Sequence, residues 1–149
     1  VKLDAMENPY SLPESLRAEL AELLGQAAIN RYPDPQAKGV QQALRRAFAL
    51  DSAYDIMLGN GSDELIQIIA SALAKPGSAL LAVEPSFVMY RMIAEFTGLR
   101  YVGVPLRADF TLDEAAVLDA VEREQPELIF LAYPNNPTGN VFDRAAVER

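Results

Sequence analysis

Apolar residues recur at helical spacing in the first third of the chain and in short unbroken runs after it. Leu16, Leu20, Leu23 and Leu24 fall on one face of a helix that opens after Pro13, with Gly25 as its expected stop. Ahead of it, residues 1–13 (VKLDAMENPYSLP) carry two prolines and little periodicity, the pattern of an extended arm. Residues 30–35 (NRYPDP) form a proline-bounded loop, and Val40, Leu44, Ala47 and Phe48 then mark a second amphipathic helix. The first 50 residues hold no clear strand.

From residue 51 the pattern changes. Ile56, Met57 and Leu58 read as a short strand or lead-in to the flexible turn Gly59-Asn60-Gly61-Ser62, and residues 63–75 as a helix stopped by Pro76-Gly77. Leu65, Ile66, Ile68, Ile69, Ala72 and Leu73 cover more than one stripe of that helix, so it is expected to be largely buried. Residues 79–83 (ALLAV), 101–104 (YVGV) and 128–132 (LIFLA) read as strands, the first and last of them continuous apolar runs. Between them lie helices at 86–97, closed by Gly98, and at 112–124, opened by a Thr111/Glu114 capping box and ended at Gln125-Pro126. This βαβαβ alternation predicts an α/β fold, a mostly parallel sheet with helices on both faces. The last residues (DRAAVER) start a further helix, and the sheet reads as unfinished at Arg149.

Composition narrows the chemistry. Thirteen Lys and Arg stand against 21 Asp and Glu, a net charge of −8, with no histidine and no cysteine. The acidic balance argues against a nucleic-acid surface; the only basic pair, Arg45-Arg46, reads as a solvated helix face. Thiol nucleophiles, disulfides, Cys/His zinc sites and the usual neutral-pH acid/base residue are all excluded. Reactions must then rest on carboxylates, Tyr, Lys, amides or a borrowed cofactor. No apolar stretch reaches membrane-span length and no export signal opens the chain, so no membrane partner and a cytoplasmic location are expected.

Ligands of parallel α/β sheets bind beyond the carboxyl ends of the strands. Three segments follow apolar runs here and could meet at one sheet edge: 59–63, 84–87 and 133–139. Gly61, Ser62 and Asp63 enter a helix N-terminus, an anion site in outline, although Asp63 and Glu64 could equally cap that end themselves. Tyr133-Pro134-Asn135-Asn136-Pro137-Thr138-Gly139 places two asparagines between prolines at a strand's carboxyl end, either as a plain turn or as amides facing a ligand. Phe87 and Tyr90 stand where an aromatic ring covers a planar ligand or simply fills the core. Tyr32 offers a phenol from the proline-bounded loop, or is an ordinary surface tyrosine.

In combination, KLDAMENPY, RYPDP, GNGSDELI, EPSFVMY and YPNNPTG resemble the fold-type I aminotransferases that use pyridoxal 5′-phosphate (PLP), and among them the histidinol-phosphate aminotransferase family. The resemblance implies a large PLP-binding domain, of which residues 51–149 are the first part, and a smaller domain to which residues 1–50 contribute with the arm. It implies that Gly61, Ser62 and Asp63 bind the cofactor phosphate, that Phe87 stacks on the pyridine ring where the family often has Tyr, and that Asn136 hydrogen-bonds the ring's 3-oxygen. Tyr32 would reach the phosphate of the neighbouring subunit's cofactor in a homodimer, and Asn8 and Tyr10 would line the substrate entrance. The arm reads LDAM where LNAN is common. The implied reaction moves an amino group between L-histidinol phosphate and 2-oxoglutarate, giving imidazole acetol phosphate and glutamate.

Such an enzyme needs a lysine that holds the cofactor as a Schiff base and shuttles the proton. The only lysines are Lys2, Lys38 and Lys75, none at the family's position, which follows PNNPTG by two further strands. The chain is therefore expected to be the N-terminal portion of a longer enzyme, with the catalytic lysine beyond Arg149. The alternatives are another PLP aminotransferase, a threonine-phosphate decarboxylase, or a non-catalytic interaction module that keeps half the fold.

Overall fold

A computed structural model of the chain describes residues 8–149, which divide into two compact units, the first ending at Ile56 and the second beginning at Met57. In the first unit, α1 (Glu14–Gln26) starts behind Pro13, whose missing N–H costs nothing at a helix entrance, and runs through Gly25 instead of stopping there. All four of its stripe leucines are exposed. Helix α2 (Lys38–Phe48) is opened by Asp34, whose carboxylate accepts from the Lys38 amide at 3.1 Å. Arg45 is not a solvated residue as expected: its guanidinium donates to the carbonyl of Asp51 at 2.8 Å and to that of Tyr54, tying down the segment that follows the helix.

The second unit holds α3 (Gly61–Leu73), β1 (Ala79–Glu84), α4 (Met89–Thr97), β2 (Arg100–Pro105), α5 (Glu114–Glu124), β3 (Leu128–Phe130) and α6 (Arg144–Glu148). The three strands are parallel in the order β2-β1-β3. The run ALLAV takes the central place because it alone is buried along its whole length, which suits a strand covered on both faces. Leu80 and Ala82 face Ala70 of α3 and Tyr90, Ile93 and Ala94 of α4. Leu81 packs instead with Val104 and with Ala120 of α5, and Val83 with Leu112 and Phe142. Helices on both faces, as the alternation predicted, are thus realised by α3 and α4 on one side and α5 and α6 on the other.

Several boundaries move for identifiable reasons. Residues 56–58 form no strand; three residues beside a glycine turn find no strand partner among the described residues. Helix α3 starts at Gly61, two residues early, and only Ala70 in it is buried, with Ile68 and Leu73 exposed. Its second apolar stripe thus has no cover among the described residues. Helix α4 starts at Met89 because residues 85–88 leave the strand in a turn. Gly98 closes it in the left-handed region at φ 76°, donating back to the carbonyls of Ala94 and Glu95.

The Thr111/Glu114 capping box does not form. Asp113 caps α5 by accepting from the Ala116 amide at 3.2 Å, while the Thr111 hydroxyl donates to the Asp109 carboxylate at 2.7 Å. Asp113→Ala should lower the unfolding free energy by about 1 kcal/mol and speed amide exchange at Ala116. Thr111→Val should leave that amide protected; the reverse pattern would restore the capping box.

Candidate functional site

The order β2-β1-β3 creates a switch point. The chain leaves β1 through α4 on one face, returns as β2, and then crosses on the other face through α5 to reach β3 on the far side of β1. The connections after β1 and β3 therefore depart to opposite faces, and a crevice opens between their carboxyl ends. Its two banks are residues 85–88 and 131–139.

On the first bank, Phe87 is half-buried and packs against the core cluster behind it. The Tyr90 ring meets Phe87 edge-on at 5.6 Å and lies flat on Phe130 of β3 at 5.1 Å, with only 7° between the planes. Of the two aromatics singled out in the sequence, Tyr90 is core and Phe87 is the ring at the rim. Burial raises the Tyr90 phenol above its ordinary pKa.

On the second bank the two asparagines divide their work. Asn135 is buried and its side chain is fully used: Nδ2 donates to the Pro85 carbonyl at 3.0 Å and to Thr138 Oγ1 at 2.7 Å, and Oδ1 accepts from the Ser86 hydroxyl at 3.1 Å. Asn136, half-buried, makes no side-chain hydrogen bond among the described residues. Its amide is available to a ligand, whereas that of Asn135 is not.

Helix α3 runs back along the sheet, since a five-residue turn after Leu73 leads into the start of β1. Its N-terminus therefore lies towards the carboxyl ends of the strands. Gly61 adopts φ 83°, and its amide is already taken by the Gly59 carbonyl at 2.9 Å. The amides of Ser62 and Asp63 have no acceptor among the described residues, as expected in a first helical turn. Glu64, rather than Asp63, reaches back to the Asn60 amide as the cap. Asp63 is exposed and accepts from Ser62 Oγ at 3.4 Å.

Sequence reasoning missed a second cluster beside the crevice. Glu84, the last residue of β1, accepts from Arg91 Nη2 at 2.5 Å, and the Arg91 guanidinium lies 4.4 Å from the centre of the Tyr101 ring. Burial first, and then the Glu84 carboxylate, push the Tyr101 phenol up to about 12. Gly103 makes room for this group, because a Cβ there would sit 2.5 Å from the Glu84 carboxyl carbon. A cleft of about 480 Å³ runs from this cluster to Phe87. Strand pairing brings Tyr101 and Gly103 to Glu84, and α4 brings Arg91, so no local motif announces the cluster. Of the remaining expected site residues, Asn8, Tyr10 and Tyr32 belong to the first unit. Tyr32 is fully exposed, and Asn8 Oδ1 accepts from the Tyr10 amide at 3.0 Å.

Fold and crevice define a doubly wound α/β domain built to take a ligand between the carboxyl ends of neighbouring parallel strands. A model of the class I and II aminotransferases matches residues 1–149, and the chain belongs to that family. It is 62% identical to a histidinol-phosphate aminotransferase of Chromobacterium violaceum over 99% of its own length and 41% of the relative's, so it spans well under half of that protein. A second histidinol-phosphate aminotransferase, from Thiocapsa roseopersicina, is 61% identical over 96% of the chain and 76% of the relative. Among solved structures, the histidinol-phosphate aminotransferase of Clostridium acetobutylicum shares the fold, with a TM-score of 0.79 at 22% identity over 97% of the chain and 40% of its own. That of Sinorhizobium meliloti in complex with pyridoxal 5′-phosphate superposes with a TM-score of 0.73 at 28% identity, covering 84% and 33%. The expected α/β fold of type I aminotransferases, with its parallel sheet, is met.

The residues present fit PLP. Phe87 supplies a supported ring at the rim, Asn136 an uncommitted amide on the opposite bank, and Ser62 and Asp63 two uncommitted backbone N–H groups at a helix N-terminus, suited to a phosphate.

Proposed function

We propose that the protein carrying this chain is a PLP-dependent aminotransferase acting on L-histidinol phosphate and 2-oxoglutarate, with imidazole acetol phosphate and glutamate as products. The observation that carries this is identity above 60% to two histidinol-phosphate aminotransferases over nearly the whole chain. The chain is read as the first part of the large domain from about residue 51, preceded by the arm and part of the small domain. The Schiff-base lysine stands elsewhere in a longer polypeptide. The enzyme is a cytoplasmic homodimer; among the described residues no helix is long and apolar enough to cross a membrane.

In this assignment the amides of Ser62 and Asp63, entered through Gly61, hold the cofactor phosphate by charge-assisted hydrogen bonds at the positive end of α3. Phe87 covers one face of the pyridine ring and keeps water from it, contributing stacking without the hydroxyl that a Tyr would bring. Asn136 donates to the ring's 3-oxygen and so fixes the ring's rotation in its plane. PLP supplies the electron sink that accepts the charge left when the substrate's α-carbon loses its proton. Asn8 and Tyr10 line the entrance, and the Tyr32 phenol reaches the phosphate bound by the partner subunit.

A substrate screen on the full-length protein tests the assignment. Efficient turnover of histidinol phosphate, with aromatic amino acids slow and threonine phosphate not decarboxylated, is the expected result. Preference for either rival substrate would reassign the enzyme, and no turnover of any would favour an interaction module. Tyr32→Phe removes one hydrogen bond to a charged acceptor, worth about 1.5–3 kcal/mol, so PLP affinity should fall by roughly ten- to a hundredfold with the fold intact. Unchanged PLP affinity would refute the intersubunit role.

A further inference from the structure

Asn135 is the one polar residue buried in the core of the described residues, and no buried polar side-chain atom there lacks a partner. Its bonds join different parts of the chain. The Pro85 carbonyl and the Ser86 hydroxyl belong to the connection after β1, 50 and 49 residues away, while Thr138 belongs to its own loop. Its backbone closes that loop as well: the Asn135 amide donates to the Asn140 carbonyl at 2.9 Å, and the Gly139 amide donates to the Asn135 carbonyl at 2.8 Å. From Thr138 the network continues through its hydroxyl to the Asn140 side chain, whose Nδ2 donates to the Phe110 carbonyl at 2.8 Å. Phe110 lies in the connection after β2. One continuous set of hydrogen bonds therefore ties together the connections that follow all three strands.

We infer that Asn135 is a positioning residue: it locks the loop that presents Asn136 against the loop that presents Phe87, so that the ring's edge and face are held in one fixed relation. This rests on the proposed PLP site. The two banks leave the sheet towards opposite faces, so the sheet alone does not set the distance between them. The network does: it is centred on the buried Asn135, whose donors and acceptor are all satisfied through part-buried bonds, and such a set holds its geometry more tightly than exposed bonds would. The placement also explains why the neighbouring asparagines are not interchangeable. Asn135 uses both its donors and its acceptor inside the protein, whereas the Asn136 side chain has no hydrogen-bond partner among the described residues.

The test is a double-substitution cycle on the full-length holoenzyme, reading the PLP dissociation constant by equilibrium dialysis and the melting temperature of the apoprotein. Asn135→Asp keeps the shape but removes both donors; Thr138→Val keeps the shape but breaks the relay, and carries the same cycle if the aspartate variant does not fold. Each should raise the dissociation constant tenfold or more. Adding Asn136→Ala should cost tenfold or more in the wild-type background but less than threefold in either variant, because Asn136 is already displaced. A purely structural role would lower the melting temperature and leave the Asn136→Ala factor the same in every background, which would overturn the inference. So would an Asn136→Ala protein that binds PLP as the wild type does. Wild-type protein that binds no PLP would overturn the proposed function, and the inference with it.

Discussion

Purified residues 1–149, mixed with PLP, histidinol phosphate and 2-oxoglutarate, should form glutamate no faster than PLP does alone. Transamination needs a base held against the substrate's α-carbon, and holding it there is worth several powers of ten over a base free in solution. Lys75, the lysine of the second unit, is not suited to that place. Lys75 precedes β1 and pairs with Glu127, which precedes β3, at 3.1 Å. It is thus at the amino ends of the strands, about 20 Å along β1 from the crevice. Lys38 opens α2 in the other unit, and Lys2 lies outside the described residues. The outer edges of β2 and β3 have no strand partner among the described residues, and Phe96, Ile129 and Val141 are exposed. The isolated chain should therefore also associate, visible as light scattering on concentration. A glutamate-forming rate proportional to the amount of chain would sink this expectation, as would a reducible PLP adduct on Lys2, Lys38 or Lys75.

Period and punctuation were enough for the sheet. Continuous apolar runs identified β1 and β3, and the alternation with helices placed β2 between them; of the three, only β1 is buried along its whole length. What they could not give was strand order, since ALLAV and LIFLA look alike to any pattern that ignores pairing partners; β1 is central and β3 an edge among the described residues. Helix starts failed where two polar residues competed for one role. Asp113 and Thr111 both suit a cap, and the Asp109 carboxylate captured the Thr111 hydroxyl and left Asp113 to the helix. At the site, the sequence pointed to the right segments but not to the division of labour within them. The doublet Asn135-Asn136 carries no mark of which residue faces inward; that is decided by Pro85 and Ser86, some fifty positions earlier. Glu84, Arg91, Tyr101 and Gly103 escaped notice for the same reason. Tyr101 and Gly103 come to Glu84 through strand register, with Glu84 opposite Pro105 and Gly103 opposite Ala82, and Arg91 comes to it from α4.

Tyr90→Ala should be the most damaging single side-chain truncation near the crevice, because Tyr90 is the contact between core and site. Its ring is buried, stacked on Phe130 and in edge contact with Phe87. Truncating a buried aromatic residue costs about 3–5 kcal/mol, a large part of the roughly 5–15 kcal/mol that holds a typical domain folded. The denaturation midpoint of the full-length protein should fall accordingly. Phe87, without the edge that braces it, should also hold PLP less well in the molecules that remain folded. Tyr90→Phe separates the causes, since it keeps the ring and both aromatic contacts and removes a hydroxyl with no hydrogen-bond partner among the described residues. That variant should stay within about 1 kcal/mol of wild type and retain PLP affinity. Should Tyr90→Ala lower the midpoint while leaving the PLP dissociation constant of the folded fraction unchanged, Tyr90 stabilises the fold alone and Phe87 is held by its backbone. Equal damage from the Phe variant would instead place a buried polar partner at the phenol and overturn the account of Tyr90 as an apolar brace.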